Sequence, residues 1–131
     1  MKKLLLLLII FTSSLSFSQT KSQINEVLKN VSDQINQTLP MTIDEYTTLM
    51  TTYGGFGRVI YSYKVDASIF SDFNMSVNEW KKSQSQQIKN SFCSDPDFEF
   101  YRKYDVDVSW NYRDLEGNFV HSVKLNSSDC N

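Results

Sequence analysis

Asp105 and Asp107, two carboxylates one residue apart, have the strongest claim in this chain to acid-base chemistry. On an extended strand they would share one side about 7 Å apart, a separation at which glycosidases hold their paired carboxylates. The competing reading is a solvated strand face with Arg58 or Lys64 as counter-ion. Asp44, beside Glu45, carries the same ambiguity. His121 is the only histidine. It alternates onto the apolar side of the last expected strand, where a hydrogen-bonded core or edge residue is the plain reading and a pH-sensitive contact the functional one. No Ser or Cys sits in a nucleophile frame such as GxSxG. One His and scattered carboxylates give neither HExxH, nor a cysteine knuckle, nor a calcium loop. No cofactor and no metal is expected. Gly54-Gly55-Phe56-Gly57 lacks the following helix and the Lys-Ser/Thr of a phosphate cradle.

Binding is the other chemistry on offer. Tyr and Trp on a sheet combine contact area with a polar head at low entropic cost. The binding candidates are Phe56, Tyr61, Tyr63, Trp110 and Tyr112, although about half of the chain's aromatics could simply be core. Phe56 at the tip of a glycine-rich turn is a contact candidate if exposed. Folding back onto the sheet edge is its expected resting place.

The best-specified element is the stretch from Cys93 to Leu125. Val106, Val108, Trp110 and Tyr112 fall on one side of a strand and Asp105, Asp107, Ser109 and Asn111 on the other. Arg113 to Asn118 is a polar loop with Gly117, and Phe119, His121, Val123 and Leu125 then alternate in a second strand. A lone hairpin is marginal in water, so another layer must cover its apolar side. Upstream, Ile24, Val27, Leu28, Val31 and Ile35 recur at helical spacing from Ser22 to the stop at Leu39-Pro40. Met41 to Tyr53 and Arg58 to Asp66 read as strands around the glycine turn. Met75 to Phe92 returns to helix behind a Ser76-Val77-Asn78-Glu79 capping box. Its apolar stripe is thin, because Gln84 occupies a core-facing position, so a partly solvated middle is expected. Asp95-Pro96-Asp97 starts a short aromatic helix, Phe98 to Tyr104. The resulting expectation is α+β: a four-stranded antiparallel sheet packed on one face by helices, in the order helix, two strands, helix, short helix, two strands.

Residues 1–18 are expected to lie outside this fold. Met1-Lys2-Lys3, the apolar run Leu4 to Phe11 and the small-x-small Ser16-Phe17-Ser18 form a cleaved secretory signal, since the run is well short of the roughly 20 residues that span a bilayer. Residues 19–131 then make one domain, exported to the periplasm or secreted. Given the bacterial-type signal, the Asn-x-Ser/Thr matches are incidental. Without Lys2 and Lys3, the thirteen Lys and Arg fall to eleven against fifteen Asp and Glu. With no basic stripe in the sequence, nucleic acid and anionic lipid are not expected partners, nor is membrane insertion after signal cleavage. In an oxidising compartment Cys93 and Cys130, the only cysteines, are expected to form a disulfide pinning the C-terminal tail.

With these residues placed, the chain resembles a scattered group of small exported bacterial proteins of uncharacterised function. The shared pattern is Leu39-Pro40, Asp44, Thr48, Gly55-Phe56-Gly57, Tyr61-Ser62-Tyr63, Cys93-Ser94-Asp95-Pro96 and Arg113-Asp114-Leu115-Glu116-Gly117. What the resemblance implies is export and a compact domain, with no activity or ligand attached. Two functions are therefore carried forward. One is a non-enzymatic binding or accessory protein that presents a sheet face or the Gly54 to Gly57 turn to another protein. The alternative is a small hydrolase or ligand-binding domain using Asp105 and Asp107 near an aromatic cleft.

Overall fold

The structure, a computed structural model, describes residues 20–131. The expected signal segment, 1–18, lies outside the described residues. Thr20 starts helix α1 (Lys21–Asn36) with a capping box: its hydroxyl accepts from the Gln23 N–H, while the Gln23 side chain accepts from the Thr20 N–H. Strand β1 is only Met41–Thr42, and β2 (Thr47–Gly55) follows a turn in which the Asp44 carboxylate accepts from the Tyr46 N–H. That turn splits the single strand expected over Met41 to Tyr53, because an Asp that binds the backbone two residues on competes with the ladder.

Strand β3 (Arg58–Val65) leads to α2 (Ser68–Asp72), an extra helical turn, and then to α3 (Val77–Ser94). The expected Ser76 and Glu79 capping box is present at α3. A 3-10 turn, Pro96–Phe98, and α4 (Glu99–Lys103) precede β4 (Asp107–Asp114) and β5 (Phe119–Leu125). A final 3-10 turn covers Ser127–Cys130.

The α+β class holds, but the sheet has five strands rather than four and is mixed rather than antiparallel. Its order is β1-β2-β3-β4-β5, and β3 pairs with β4 in parallel, Tyr61 beside Trp110 and Tyr63 beside Tyr112. The reason is the crossover: α3 carries the chain back along the sheet after β3, so the next strand sets out from the end where β3 began. A hairpin-by-hairpin reading omits this return.

Paired residues in a sheet share a face, so register separates the two sides. Val59, Tyr61, Tyr63, Val65, Val108, Trp110, Tyr112 and Val123 form the inner side. Trp80 of α3 meets Tyr112 edge-on at 5.3 Å, and Phe92 meets Trp110 at 5.9 Å. Leu28 of α1, fully buried, lies over Gly54 of β2 on the same side. Both long helices therefore cover one face, as expected. Cys93 in the last turn of α3 is bonded to Cys130 in the final 3-10 turn, 37 residues away. A loop of that length removes denatured-state entropy worth about 4 kcal/mol.

Candidate functional site: the β2–β3 turn and its groove

Gly55 and Arg58 are the last paired residues of the β2–β3 hairpin, leaving a two-residue loop of Phe56 and Gly57. Both have positive φ, 51° and 73°, the pattern of the type I′ turn whose twist matches flanking strands. From α1 the Asn25 carboxamide oxygen accepts the Gly57 N–H at 2.8 Å and anchors the turn. The Phe56 side chain does not fold back onto the sheet edge, contrary to expectation: it is 82% exposed.

Beside this tip, α1 and the outer edge of β2 enclose a groove of about 550 Å³. Tyr53, Gly54 and Phe56 line one wall, and Lys29 and Asp33, paired at 2.6 Å, lie along the other. Several contacts hold the walls together, among them the buried Ser32 and Thr52 hydroxyls at 2.9 Å. Asn36 binds the strand edge as another strand would, its carboxamide oxygen accepting the Thr52 N–H at 2.8 Å and its NH₂ donating to the Thr52 C=O at 2.9 Å. Gly54 packs so closely that a Cβ there would lie 2.1 Å from the Leu28 carbonyl oxygen. Sequence reading missed Asn36 and this use of Gly54. The available signal was a glycine in a strand, which marks a close backbone approach.

Tyr61, Tyr63, Trp110 and Tyr112 come together, but on the inner face rather than on a free surface. Tyr61 stacks on Trp110 at 6.0 Å and Tyr63 on Tyr112 at 4.9 Å, while the Tyr61 and Tyr101 hydroxyls meet at 3.4 Å. Burial pushes the Tyr63 phenol up to about 12. It raises Tyr61 too, and at Tyr112 burial is joined by the nearby Tyr63 and Asp44. Tyr63, Trp110 and Tyr112 border a second hollow of about 280 Å³ between α3 and the β1–β2 link. Gln84 and Gln87 form its α3 side, so the thin apolar stripe does leave the middle of that helix wet. Phe56 stands apart from all four, across the sheet.

The carboxylate pair dissolves. Strand β4 begins at Asp107, and Asp105 lies in the preceding turn at φ 52°. Asp105 accepts from the Ser127 hydroxyl at 2.7 Å and Asp107 from the Asn126 carboxamide at 3.3 Å. Both are exposed. The aromatic residues occupy the opposite face of β4 from Asp107, so carboxylates and aromatic cleft do not share a site.

His121 lies on the inner face opposite Tyr112, within 2.9 Å of the Ser85 hydroxyl of α3. Burial and the Lys81 charge hold its imidazole below the usual range, against a backbone hydrogen bond at Lys81 that raises it. Ser and His in contact suggest a nucleophile, yet Ser85 is mid-helix, where neighbouring amides are committed to the helix ladder and offer no oxyanion donors. Among the described residues no group of three or more His, Cys, Asp or Glu side chains could hold a metal.

The outer face of the sheet holds a feature the sequence concealed. Arg58 and Lys64 of β3, Arg113 of β4 and Lys124 of β5 all lie on it, because alternation and register gather cations that are scattered along the chain.

No family model matches the chain. It is 31% identical over 117 residues to Protein K of Escherichia coli, a match covering 87% of this chain. The chain spans 61% of that relative's length. Three solved structures share the fold. A Pseudomonas aeruginosa protein described as secreted superposes with a TM-score of 0.71 at 14% identity, covering 88% of this chain and all of that one. The type 2 secretion system pilotin EpsS of Vibrio vulnificus gives 0.69 at 10% identity, with 85% and 94% covered. The type II pilotin AspS of Vibrio cholerae gives 0.63 at 13%, with 84% and 94% covered. No helix among the described residues is long and apolar enough to cross a membrane.

Proposed function

We propose that this chain is an exported accessory protein of the cell envelope or exterior, acting without catalysis, and that it holds another protein at the β2–β3 turn. Residues 19–131 are the working unit once 1–18 are removed. One observation carries the reading: Phe56 is a bulky residue in a left-handed turn position, 82% exposed. A left-handed backbone costs an L-residue about 1–2 kcal/mol, and an exposed ring recovers little of that by burial. Strain retained without packing gain is the mark of a residue kept for a contact. The groove between α1 and β2, with Tyr53 along it, supplies adjoining surface. Tyr61, Tyr63, Trp110 and Tyr112 then act as the scaffold that sets the strands behind the turn. Fold likeness to two type 2 secretion pilotins supports an accessory role in an export apparatus. The absence of a shared site for Asp105, Asp107 and the aromatic cleft removes the main argument for hydrolysis.

Phe56→Asn tests the proposal with two readouts. Asn followed by Gly57 is the favoured type I′ pair, so the variant should gain about 0.5–1 kcal/mol and melt about 2–4 °C higher. It should also lose partner capture from envelope extract. Higher stability with undiminished capture would remove Phe56 from the interface.

A further inference from the structure

The long helices leave the outer sheet face uncovered, and its chemistry is uneven. Three rows cross it. Ile60 of β3, Ser109 of β4 and Lys124 of β5 are aligned in one; Ser62, Asn111 and Ser122 in the next; Lys64, Arg113 and Phe119 in the third. The middle row is hydroxyl and carboxamide, with Ser122 donating to the Asn111 carboxamide oxygen at 2.7 Å. It floors a hollow of about 470 Å³ flanked by Arg113 and Lys124, with Lys64 directly beside Arg113.

Among the described residues no carboxylate lies within ion-pair distance of these cations. Among the described residues the single ion pair is Lys29 with Asp33, on α1. Asp107 lies beside Arg58, at the far end of the face from Lys64, and with Asp129 it borders a neighbouring hollow of about 590 Å³ that Lys124 also lines. Asp114 belongs to the β4–β5 turn, where its carboxylate accepts the Glu116 and Asn118 N–H groups. Arg113 donates to the Gly117 carbonyl at 3.0 Å, which fixes its guanidinium over the hollow's edge without cancelling its charge. Like charges side by side on adjacent strands are destabilising, so Lys64 and Arg113 call for an anion that the chain does not supply.

We propose that this face is a second docking surface, taking an acidic segment of a partner protein whose carboxylates sit over Ser62, Asn111 and Ser122, between Lys64, Arg113 and Lys124. The proposal builds on the protein-binding function above. Carboxylates fit the Ser62 hydroxyl, the Asn111 NH₂ and the guanidinium fork, and Ile60 and Phe119, the latter 63% exposed, offer apolar contact between the charges. An anionic bilayer fits less well. A membrane plane meets the whole molecule, in which fifteen acidic residues outnumber the basic ones after signal removal. A bound peptide senses charge only within a Debye length of about 8 Å.

The test uses the exported chain, a fluorescent peptide of alternating Glu and Leu, and anisotropy at about 0.15 M salt. Lys64→Gln with Lys124→Gln alters two side chains that hold no hydrogen bond in the fold, and should weaken peptide binding by about tenfold. Lys82→Gln with Lys89→Gln, on the solvent side of α3, removes the same charge and should leave binding unchanged. Equal loss in both pairs, or no binding by the native chain, overturns the proposal. Co-sedimentation with phosphatidylglycerol vesicles but no peptide binding overturns it in favour of a lipid surface. Phe56→Asn should keep peptide binding. Failure of the peptide arm with Phe56-dependent capture intact would therefore sink this surface alone and leave the turn interface standing.

Discussion

Phe56 and His121 show how far single residues carry the argument. Phe56 occupies a backbone region that disfavours it and gains little burial there, and the proposed contact rests on those two observations. His121 is explained from inside. Burial and the Lys81 charge lower its pKa, and the Ser85 hydroxyl engages its ring. Because the folded state lowers its pKa, the unfolded chain takes up the proton first. The contribution is then fully present above the ordinary value of about 6.5 and is lost as pH falls from there toward the folded value. The melting temperature of the native chain should thus drop between about pH 7 and pH 5 more than that of His121→Gln, whose amide keeps a hydrogen-bonding group facing Ser85 and does not titrate. Parallel melting curves for the two would assign acid sensitivity to other groups.

At the scale of elements, the decisive contact is α1 on the edge of β2. Asn36 occupies edge groups that would otherwise invite another strand, and Gly54 lets the helix backbone approach. Gly54→Ala places a methyl against the backbone carbonyl of Leu28, which cannot yield as a flexible side chain would. A loss of about 3 kcal/mol is expected in urea unfolding, whereas Gly57→Ala, with open space around its Cβ but a φ of 73°, should lose only about 1–2 kcal/mol to left-handed strain. A silent Gly54→Ala would mean the helix sits further out. Most elements were legible from periodicity and caps: α1, α3 with its Ser76 box and the β4–β5 hairpin fall where spacing puts them, except that a register shift carries Phe119 to the outer face beside Arg113. Direction and adjacency were not. Strand preference is local, whereas the parallel β3–β4 pairing depends on where a helical crossover returns the chain. The same limit hid the outer-face cations, since Lys64 and Arg113 become neighbours only once register is known. Asp105 and Asp107 misled for a related reason: alternation assumes an extended chain, and a left-handed residue at Asp105 ends it.

The whole molecule is a sheet with one roofed and one open face. Its C-terminal turn is tied to the roof by Cys93 and Cys130, and its two exposed features sit at the β2–β3 tip and on the open side. The stacked aromatics lie on the inner face behind the tip. Tyr61 and Tyr63 are locked against Trp110 and Tyr112, so the hairpin projects from a fixed base. That arrangement suits a protein that positions a partner rather than transforms a substrate. The most direct measurement is photo-crosslinking in the producing cell, with a benzophenone amino acid placed at Phe56 or, as the control, at Leu115, an apolar residue of the other hairpin that is 59% exposed. A discrete protein adduct from position 56 and none from position 115 is the result expected. No adduct at position 56, or the same adducts from both tips, would contradict a partner held at the β2–β3 turn.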